Sequence, residues 1–171
     1  MQDNNPMSTI RVNKVTLSIA TGESGESVEK AYTLAERLTG QKPVRTLATR
    51  KARTFRIRRG LPIGVKVTMR REKGIEFLKK IMKGIGNRLS SYNFDNNGNF
   101  SFGLKEYLSI PGQKYDPKLG MIGMNINISL ERPGYRIKRR KIKKVKISKS
   151  HRITKDEAVD FTKEKLNIQV V

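Results

Sequence analysis

The 171-residue chain contains no cysteine, a single histidine and only 15 acidic residues. Without cysteine it can form neither disulfides nor thiolate metal sites, and nothing in it points to an oxidising compartment. One histidine without clustered carboxylates supplies neither a set of metal ligands nor a Ser-His-Asp arrangement. We therefore expect a protein that is not an enzyme and that carries neither a metal ion nor another cofactor.

The sequence also lacks any run of 18 apolar residues, so it predicts no membrane-spanning helix. Its first six residues, MQDNNP, are polar and lack the apolar segment of a secretory signal. We expect a reducing, aqueous compartment such as cytoplasm or nucleus. Hydrophobic residues make up 36% of the chain, and their periodic arrangement indicates a packed core rather than disorder throughout.

The scarcity of acids contrasts with 37 Lys and Arg residues, which give a formal net charge of +22 at pH 7. Residues 41–71 carry eleven of these cations and residues 132–149 carry ten, and neither segment contains an acid. So much uncompensated charge repels itself on a folded surface, and a polyanionic partner would remove that repulsion. Nucleic acid is the commonest such partner, because each phosphate contact releases a condensed counterion.

Alternating apolar and polar residues predict strands near residues 10–20, 43–52, 63–70, 100–104 and 122–130. Val12 is out of register with the first strand, which suggests a β-bulge near Asn13. Helical spacing predicts helices over about 27–39, which Gly40 ends, and about 73–90. We expect an α+β fold in which helices cover one face of a mostly antiparallel sheet. The other face would display polar and basic side chains, among them Asn13, Ser18, Lys66, Thr68 and Arg70.

Three parts are predicted along the chain. Residues 1–9 form a flexible polar leader, residues 10–132 an RNA-binding α+β domain, and residues 133–171 a basic C-terminal extension with a short helix. That helix is expected to begin at Thr154, where Thr154 and Glu157 form a candidate capping box.

Two features allow both a functional and a structural interpretation. His151 could be catalytic, but without partner residues we interpret it as a surface residue beside Ser150. The strand NFSFG at 99–103 resembles the aromatic strand of an RNA-recognition motif, whose rings stack on bases. The leading basic-glycine-aromatic order of that motif is missing, so we interpret Phe100 and Phe102 as core residues.

The basic segments also allow alternatives. KRRKIKK at 138–144 fits a nuclear-import patch or a disordered arm as well as a phosphate-binding run. RTFRIRRGLP at 53–62 interleaves arginines with apolar residues and ends in glycine and proline, which predicts a long hairpin loop. Such a loop can bring guanidinium groups to phosphates while its apolar groups pack on riboses or bases.

Three blocks of the sequence carry a family resemblance. They are VNKVTLSIATGE at 12–23; GQKP at 40–43 with FRIRRG at 55–60 and PIGVKVTMR at 62–70; and FDNNGNFSFG at 94–103 with YD at 115–116 and GM at 123–124. In these blocks the chain resembles the universal large-subunit ribosomal protein numbered five in bacteria and archaea and eleven in eukaryotes. The likeness extends over about residues 7–165.

The C-terminal part narrows the resemblance to the archaeal and eukaryotic type. RPGY at 132–135 and SHRITKDE at 150–157 are similar to an extension that bacterial members lack. NPM at 5–7 also resembles the start of eukaryotic members.

The resemblance implies a structural constituent of the large ribosomal subunit. The family binds 5S rRNA in the central protuberance, contributes an intersubunit bridge and extends a loop toward P-site tRNA. The implied partners are 5S rRNA, large-subunit rRNA, P-site tRNA, the other 5S rRNA-binding ribosomal protein and a small-subunit head protein, with no membrane. The implied location is the ribosome in the cytoplasm, with the nucleus or nucleolus during assembly in a eukaryote.

Residue roles carried over by position fall into three groups. The 5S rRNA contacts would be Asn13, Lys14, Ser18, Gln41, Lys42, Arg45, Thr46, Arg50, Lys51, Lys66, Thr68 and Arg70. The tRNA-facing loop would hold Arg53, Phe55, Arg56, Ile57, Arg58 and Arg59. Contacts with rRNA phosphates would come from Arg136, Lys138, Arg139, Arg140, Lys141, Lys143 and Lys144. Ser18 stands where bacterial members usually have Asn, and a hydroxyl makes fewer hydrogen bonds than an amide.

Three other functions fit parts of the sequence. A DNA-binding or chromatin protein would concentrate its basic residues on a recognition helix, whereas here they lie on predicted strands, a loop and a tail. An RNA-modifying enzyme would need a set of acid-base or nucleophilic residues, and none is visible in the sequence. A membrane-surface protein would need a basic amphipathic helix, and the predicted helix 73–90 has the pattern of a core helix. We therefore favour a structural RNA-binding protein.

Overall fold

The computed structural model describes residues 5–171, so residues 1–4 of the predicted leader lie outside the described part. Its strands are β1 (Arg11–Ala20), β2 (Val44–Leu47), β3 (Pro62–Met69), β4 (Arg88–Leu89), β5 (Phe100–Leu104), β6 (Met124–Glu131) and β7 (Gln169–Val170). Its α-helices are α1 (Glu26–Thr39), α2 (Arg71–Gly84) and α3 (Lys155–Leu166). No helix among the described residues is long and apolar enough to cross a membrane.

Five strands form one antiparallel sheet in the order β2-β3-β1-β6-β5, which confirms the predicted α+β fold. Helix α1 packs on β3 and α2 packs on β1. The apolar members of each alternating strand pattern, such as Leu17, Val67 and Ile126, face these helices and are buried. Phe100 and Phe102 belong to the same core, as the sequence predicts.

The end of α2 differs from the prediction, because the helix stops at Gly84 rather than near residue 90. Gly86 and Asn87 adopt left-handed backbone conformations, which end the helix. The next residues form β4, which pairs in parallel with β7 from the C-terminus of the chain. Helical periodicity alone predicts that α2 continues through these residues. They instead form a strand, because they pair with residues about 80 positions later in the sequence.

The predicted strand over 43–52 is also shorter, since β2 ends at Leu47. A register shift between Thr46 and Leu47 interrupts the ladder with β3. After this shift, two backbone hydrogen bonds of 2.8 Å join Ala48 to the other side of the hairpin. The Ala48 N–H donates to the Leu61 carbonyl, and the Ala48 carbonyl accepts from the Gly60 N–H. Residues 49–52 therefore belong to the base of the hairpin loop.

The C-terminal extension packs against the domain that precedes it. Ile153, Ala158 and Ile168 join the central core. The capping box predicted at the start of α3 is confirmed, because the Thr154 side chain and Glu157 satisfy each other's backbone N–H groups. Gly98 approaches this region so closely that an added Cβ would lie 2.5 Å from Ile153 Cγ2.

His151 is half-buried rather than a free surface residue, which corrects the sequence interpretation. Its Nε2 lies 2.9 Å from the Pro133 carbonyl oxygen, so this nitrogen carries the proton that it donates. The Tyr135 hydroxyl donates to the His151 carbonyl and accepts from the Ile153 N–H, both at 3.1 Å. These contacts fasten the start of the extension and give the histidine a structural role.

Candidate nucleic-acid interface

The face of the sheet opposite α1 and α2 is uncovered over most of its area and is polar. Strand register places Thr16 between Thr68 and Asn127, and Ser18 between Lys66 and Asn125. We call this surface the open face. Its side-chain positions are Lys14, Thr16, Ser18, Val44, Thr46, Lys66, Thr68, Ser101, Asn125, Asn127 and Ser129.

Hydroxyl and amide groups, rather than cations, dominate the open face. Lys14 and Lys66 are its only charged strand positions, and it contains no acid. Ser, Thr and Asn side chains donate to and accept from sugar hydroxyls and phosphate oxygens. Such groups suit the minor groove of an RNA helix, which displays 2′-hydroxyls and base edges.

Several cations of residues 41–71 lie around this face instead of on it. Arg70 follows β3 at one end, Lys42 precedes the edge strand β2, and Arg50 and Lys51 follow it. All four are exposed and form no ion pair within residues 5–171. A polar platform with a cationic margin is thus a shape that positions a nucleic-acid backbone.

The predicted contact residues are largely brought together. Asn13, Lys14, Ser18, Thr46, Lys66 and Thr68 share the open face or its end, while Gln41, Lys42, Arg50, Lys51 and Arg70 lie at its margin.

Arg45 is the exception among these predicted contacts. It is paired with Val65, whose side chain faces the helices, so Arg45 also points toward α1. Its guanidinium lies 2.9 Å from Glu29 and 5.2 Å from the centre of the Tyr32 ring. An ion pair and a cation–π contact thus hold Arg45 away from the open face.

The predicted loop over 53–62 forms a hairpin extension. An antiparallel bridge joins Ala52 and Ile57, and the Arg56 N–H donates to the Arg53 carbonyl to form the tip. Arg56 adopts a left-handed conformation there, with φ of 53°. Phe55 is 70% exposed. Within the described residues none of the arginines of this loop forms an ion pair, so their charge is available to a partner.

The basic segment of the extension, which we define as residues 136–146, lies at the end of the open face. Its residues are all exposed except half-buried Ile137, and Ile147 anchors the segment at 7% exposure. Arg139 pairs with Glu131 at the end of β6. The other predicted phosphate contacts, Arg136, Lys138, Arg140, Lys141, Lys143 and Lys144, form no ion pair within residues 5–171.

Five polar residues of the open face are absent from the predicted contact set. They are Thr16, Ser101, Asn125, Asn127 and Ser129. The signal that identifies them is present in the sequence, since each is the polar member of an alternating strand. Their membership becomes evident once β5 and β6 are known to lie beside β1.

Residues 5–171 contain no group of three or more His, Asp or Glu side chains that could hold a metal ion. The acids that form ion pairs, among them Glu26, Glu29 and Glu131, each face a basic side chain.

Comparison with known proteins identifies the family. A family model for the C-terminus of the ribosomal L5 family matches residues 62–161, and one for ribosomal protein L5 matches residues 5–58. Similar proteins include the large ribosomal subunit protein uL5 of Sulfurisphaera tokodaii, 49% identical over 98% of this chain and 95% of its own length. The uL5 of Sulfolobus acidocaldarius is 48% identical, with 98% and 94% covered, and that of Nanoarchaeum equitans is 49% identical, with 97% and 98% covered.

These matches span the sheet, the loop over 53–62 and most of the C-terminal extension, and the relatives named are archaeal. They agree with the archaeal or eukaryotic type that the extension predicts. The chain therefore belongs to the L5 family of ribosomal proteins, whose members are structural and non-enzymatic.

Proposed function

We propose that this chain, a structural constituent of the large ribosomal subunit, binds 5S rRNA with the open face of its sheet in the central protuberance. The observation that carries the proposal is the open face itself: a polar platform of hydroxyls and amides without acids. Exposed cations at its margin, such as Lys42, Arg50 and Arg70, have no ion-pair partner within residues 5–171. Phosphate contacts supply affinity, and contacts with ribose hydroxyls select RNA over DNA.

The loop over 53–62 is assigned a different partner. Its hydrogen-bonded tip, exposed arginines and exposed Phe55 suit contact with a second RNA, for which we propose P-site tRNA. The basic segment is proposed to contact rRNA phosphates. The intersubunit bridge to a small-subunit head protein and a contact with the other 5S rRNA-binding protein complete the proposed partners.

A pair of variants tests the open-face assignment. Asn127→Glu adds one negative charge to the open face, and Thr33→Glu adds one to an exposed position of α1 on the opposite side. We expect the first variant to weaken 5S rRNA binding about tenfold or more, because a carboxylate placed against phosphates repels them. We expect the second to change it less than about twofold.

Binding would be measured by filter retention, with the melting temperature of each variant as a check on folding. Equal losses of affinity in both variants, or a loss confined to Thr33→Glu, would contradict binding through the open face.

A further inference from the structure

A cleft lies where the open face meets the basic segment. It is larger than the phosphate contacts proposed above require. Its volume is about 440 Å³. Residues of β1, β6, the turn before β5 and the basic segment line it. This volume exceeds what one phosphate group fills and falls within the range of sites that bind small organic ligands.

Positive charge predominates in the cleft. Its cations are Lys14, Lys138, Arg139, Lys146 and Arg152. The one acid in the lining, Glu131, is paired with Arg11 and Arg139. The three lysines form no ion pair within residues 5–171, so the cleft retains charge suited to an anionic group such as a phosphate.

Amides line the same cleft. Asn13, Asn97 and Asn99 are among its lining residues, together with Ser129. The Asn99 side-chain amide donates a hydrogen bond of 2.9 Å to the Asp95 carboxylate. The Asn13 side chain, by contrast, has no hydrogen-bond partner within the described residues. The β-bulge between Val12 and Lys14 makes Asn13 an extra residue in the ladder. Amide groups of this kind pair with the edges of bases.

Apolar groups complete the lining. Ile147 and Tyr135 border the cleft. Two hydrogen bonds of the Tyr135 hydroxyl, to His151 and from Ile153, fix the position of its ring. A base that leaves an RNA stack needs such apolar or aromatic surface in addition to polar partners for its edge.

We propose that this cleft binds one unstacked nucleotide of the partner RNA. The lysines hold the phosphate, and the free amide of Asn13 hydrogen-bonds to the edge of the base. The proposal rests on the proposed function for the source of the nucleotide, but the cleft can be tested separately with free nucleotides.

The test titrates the ¹⁵N-labelled full chain with each of the four nucleoside monophosphates, and with inorganic phosphate at matched ionic strength, by NMR. We expect at least one nucleotide to give saturable shifts at the Asn13 side-chain amide and at Lys14 and Ser129. Phosphate should leave the Asn13 side chain unchanged. Identical responses to nucleotide and phosphate would overturn the proposal, as would shifts spread over the whole basic surface or no response.

Matched variants separate the cleft from general charge. Lys138→Gln with Lys146→Gln removes two charges from the cleft, and Lys79→Gln with Lys83→Gln removes two from the exposed side of α2. We expect about tenfold weaker nucleotide binding in the first pair and less than about twofold in the second. Equal losses would overturn the site.

The variant Asn13→Ala tests whether the Asn13 side chain recognises the base of the bound nucleotide. At an unchanged melting temperature it should abolish any preference among the four nucleotides, and a preference that survives would contradict the role of Asn13. Measuring 5S rRNA binding in parallel distinguishes the two proposals. Absence of 5S rRNA binding with an intact nucleotide response would remove the proposed function and support the cleft, whereas the reverse result would remove the cleft alone.

Discussion

Val67 lies in the middle of the sheet, opposite Leu17 of β1, and is 3% exposed beneath the helices. Its neighbour Thr68 points to the open face and is half-buried. This alternation means that adjacent residues of one strand meet opposite environments. At the scale of single residues, it separates the packed side of the protein from the side proposed to bind RNA.

Replacing Val67 by Asp should unfold the protein at moderate temperature. An unpaired carboxylate in the core would cost about 4 kcal/mol or more of the free energy of unfolding. Thr68→Asp, one residue further along the same strand, serves as the control and should change the melting temperature only slightly. An unchanged melting temperature for Val67→Asp would mean that the two faces of the sheet have been assigned the wrong way round.

Gly98 combines a positive φ of 77° with a close approach to Ile153. Gly98→Ala should therefore lower the free energy of unfolding by about 2 kcal/mol or more, through backbone strain and through the contact. Gly112→Ala is a matched control, because Gly112 has a φ of 82° but no atom within 4 Å of an added Cβ. Denaturant unfolding of both variants measures the difference. Equal losses of stability in the two variants would mean that the close contact between Gly98 and Ile153 of the extension does not exist.

Some residue roles follow from sequence pattern and others require the fold. The core positions Phe100 and Phe102 were predicted correctly, because alternation alone places them on one side of a strand. The side of the sheet to which the Arg45 side chain points depends on its pairing with Val65 and on its ion pair with Glu29 of α1. Neither contact can be predicted from the local sequence pattern. His151 likewise obtains its partner, the Pro133 carbonyl, from a chain reversal within the extension.

At the scale of whole elements, local signals and long-range pairing compete. The predicted length of α2 followed an apolar stripe that continues to Leu89. Gly86 and Asn87 are helix-ending residues, and they end the helix here. Leu89 remains buried, as the stripe predicts, but it is buried in β4 through pairing with Val170. The sequence therefore predicted which residue is buried but not which element carries it.

Helix α3 is attached by a small network around Arg132. The Arg132 guanidinium donates to the Ser8 carbonyl at 2.9 Å, to the Arg152 carbonyl at 3.3 Å and to Glu157 at 2.8 Å. Burial, the largest single effect, raises the pKa of Glu157. The Thr154 backbone N–H and the Arg132 side chain together outweigh it and lower that pKa below its usual value of 4.5.

Because the folded protein lowers the pKa of Glu157, its carboxylate stabilises the fold above pH 4.5 and loses that effect as pH falls through the lower, folded-state pKa. Glu157→Gln should therefore be less stable than the parent at pH 7, by about 1 kcal/mol for a partly exposed group. The difference should shrink in acid. Unfolding midpoints measured from pH 7 to about pH 3 test this, and a difference that stays constant would contradict it.

At the scale of the whole molecule, acidic and basic side chains are unevenly distributed. The exposed acids Glu26, Glu29 and Glu36 lie on α1, on the far side of the sheet from the open face. Cations without ion pairs within residues 5–171 lie on the margin of the open face, on the loop over 53–62 and on the basic segment, and further ones, such as Lys79, Lys80 and Lys83, lie on α2. An uneven distribution of charge favours some orientations of a protein on a polyanion before close contact forms.

The loop and the open face should be separable by mutation. Replacing Arg56, Arg58 and Arg59 by Ala should leave 5S rRNA affinity nearly unchanged and impair translation, because the loop is assigned to tRNA. Replacing Lys79, Lys80 and Lys83 of α2 by Ala removes the same charge as a control. Binding assays and cell-free translation by reconstituted ribosomes would measure both. A large loss of 5S rRNA binding in the loop variant would refute this division of roles.

The central claim is specific recognition of 5S rRNA by this surface. The most direct measurement is binding of the purified chain to 5S rRNA over a salt titration, with a structured RNA of equal length as competitor. Affinity for the competitor should fall by roughly 10³- to 10⁵-fold between about 50 and 200 mM salt if contacts are to phosphates alone. We predict that 5S rRNA binding persists with a large preference at the higher salt. A parallel fall for both RNAs would show that the surface binds phosphates without selecting 5S rRNA, and would contradict the account.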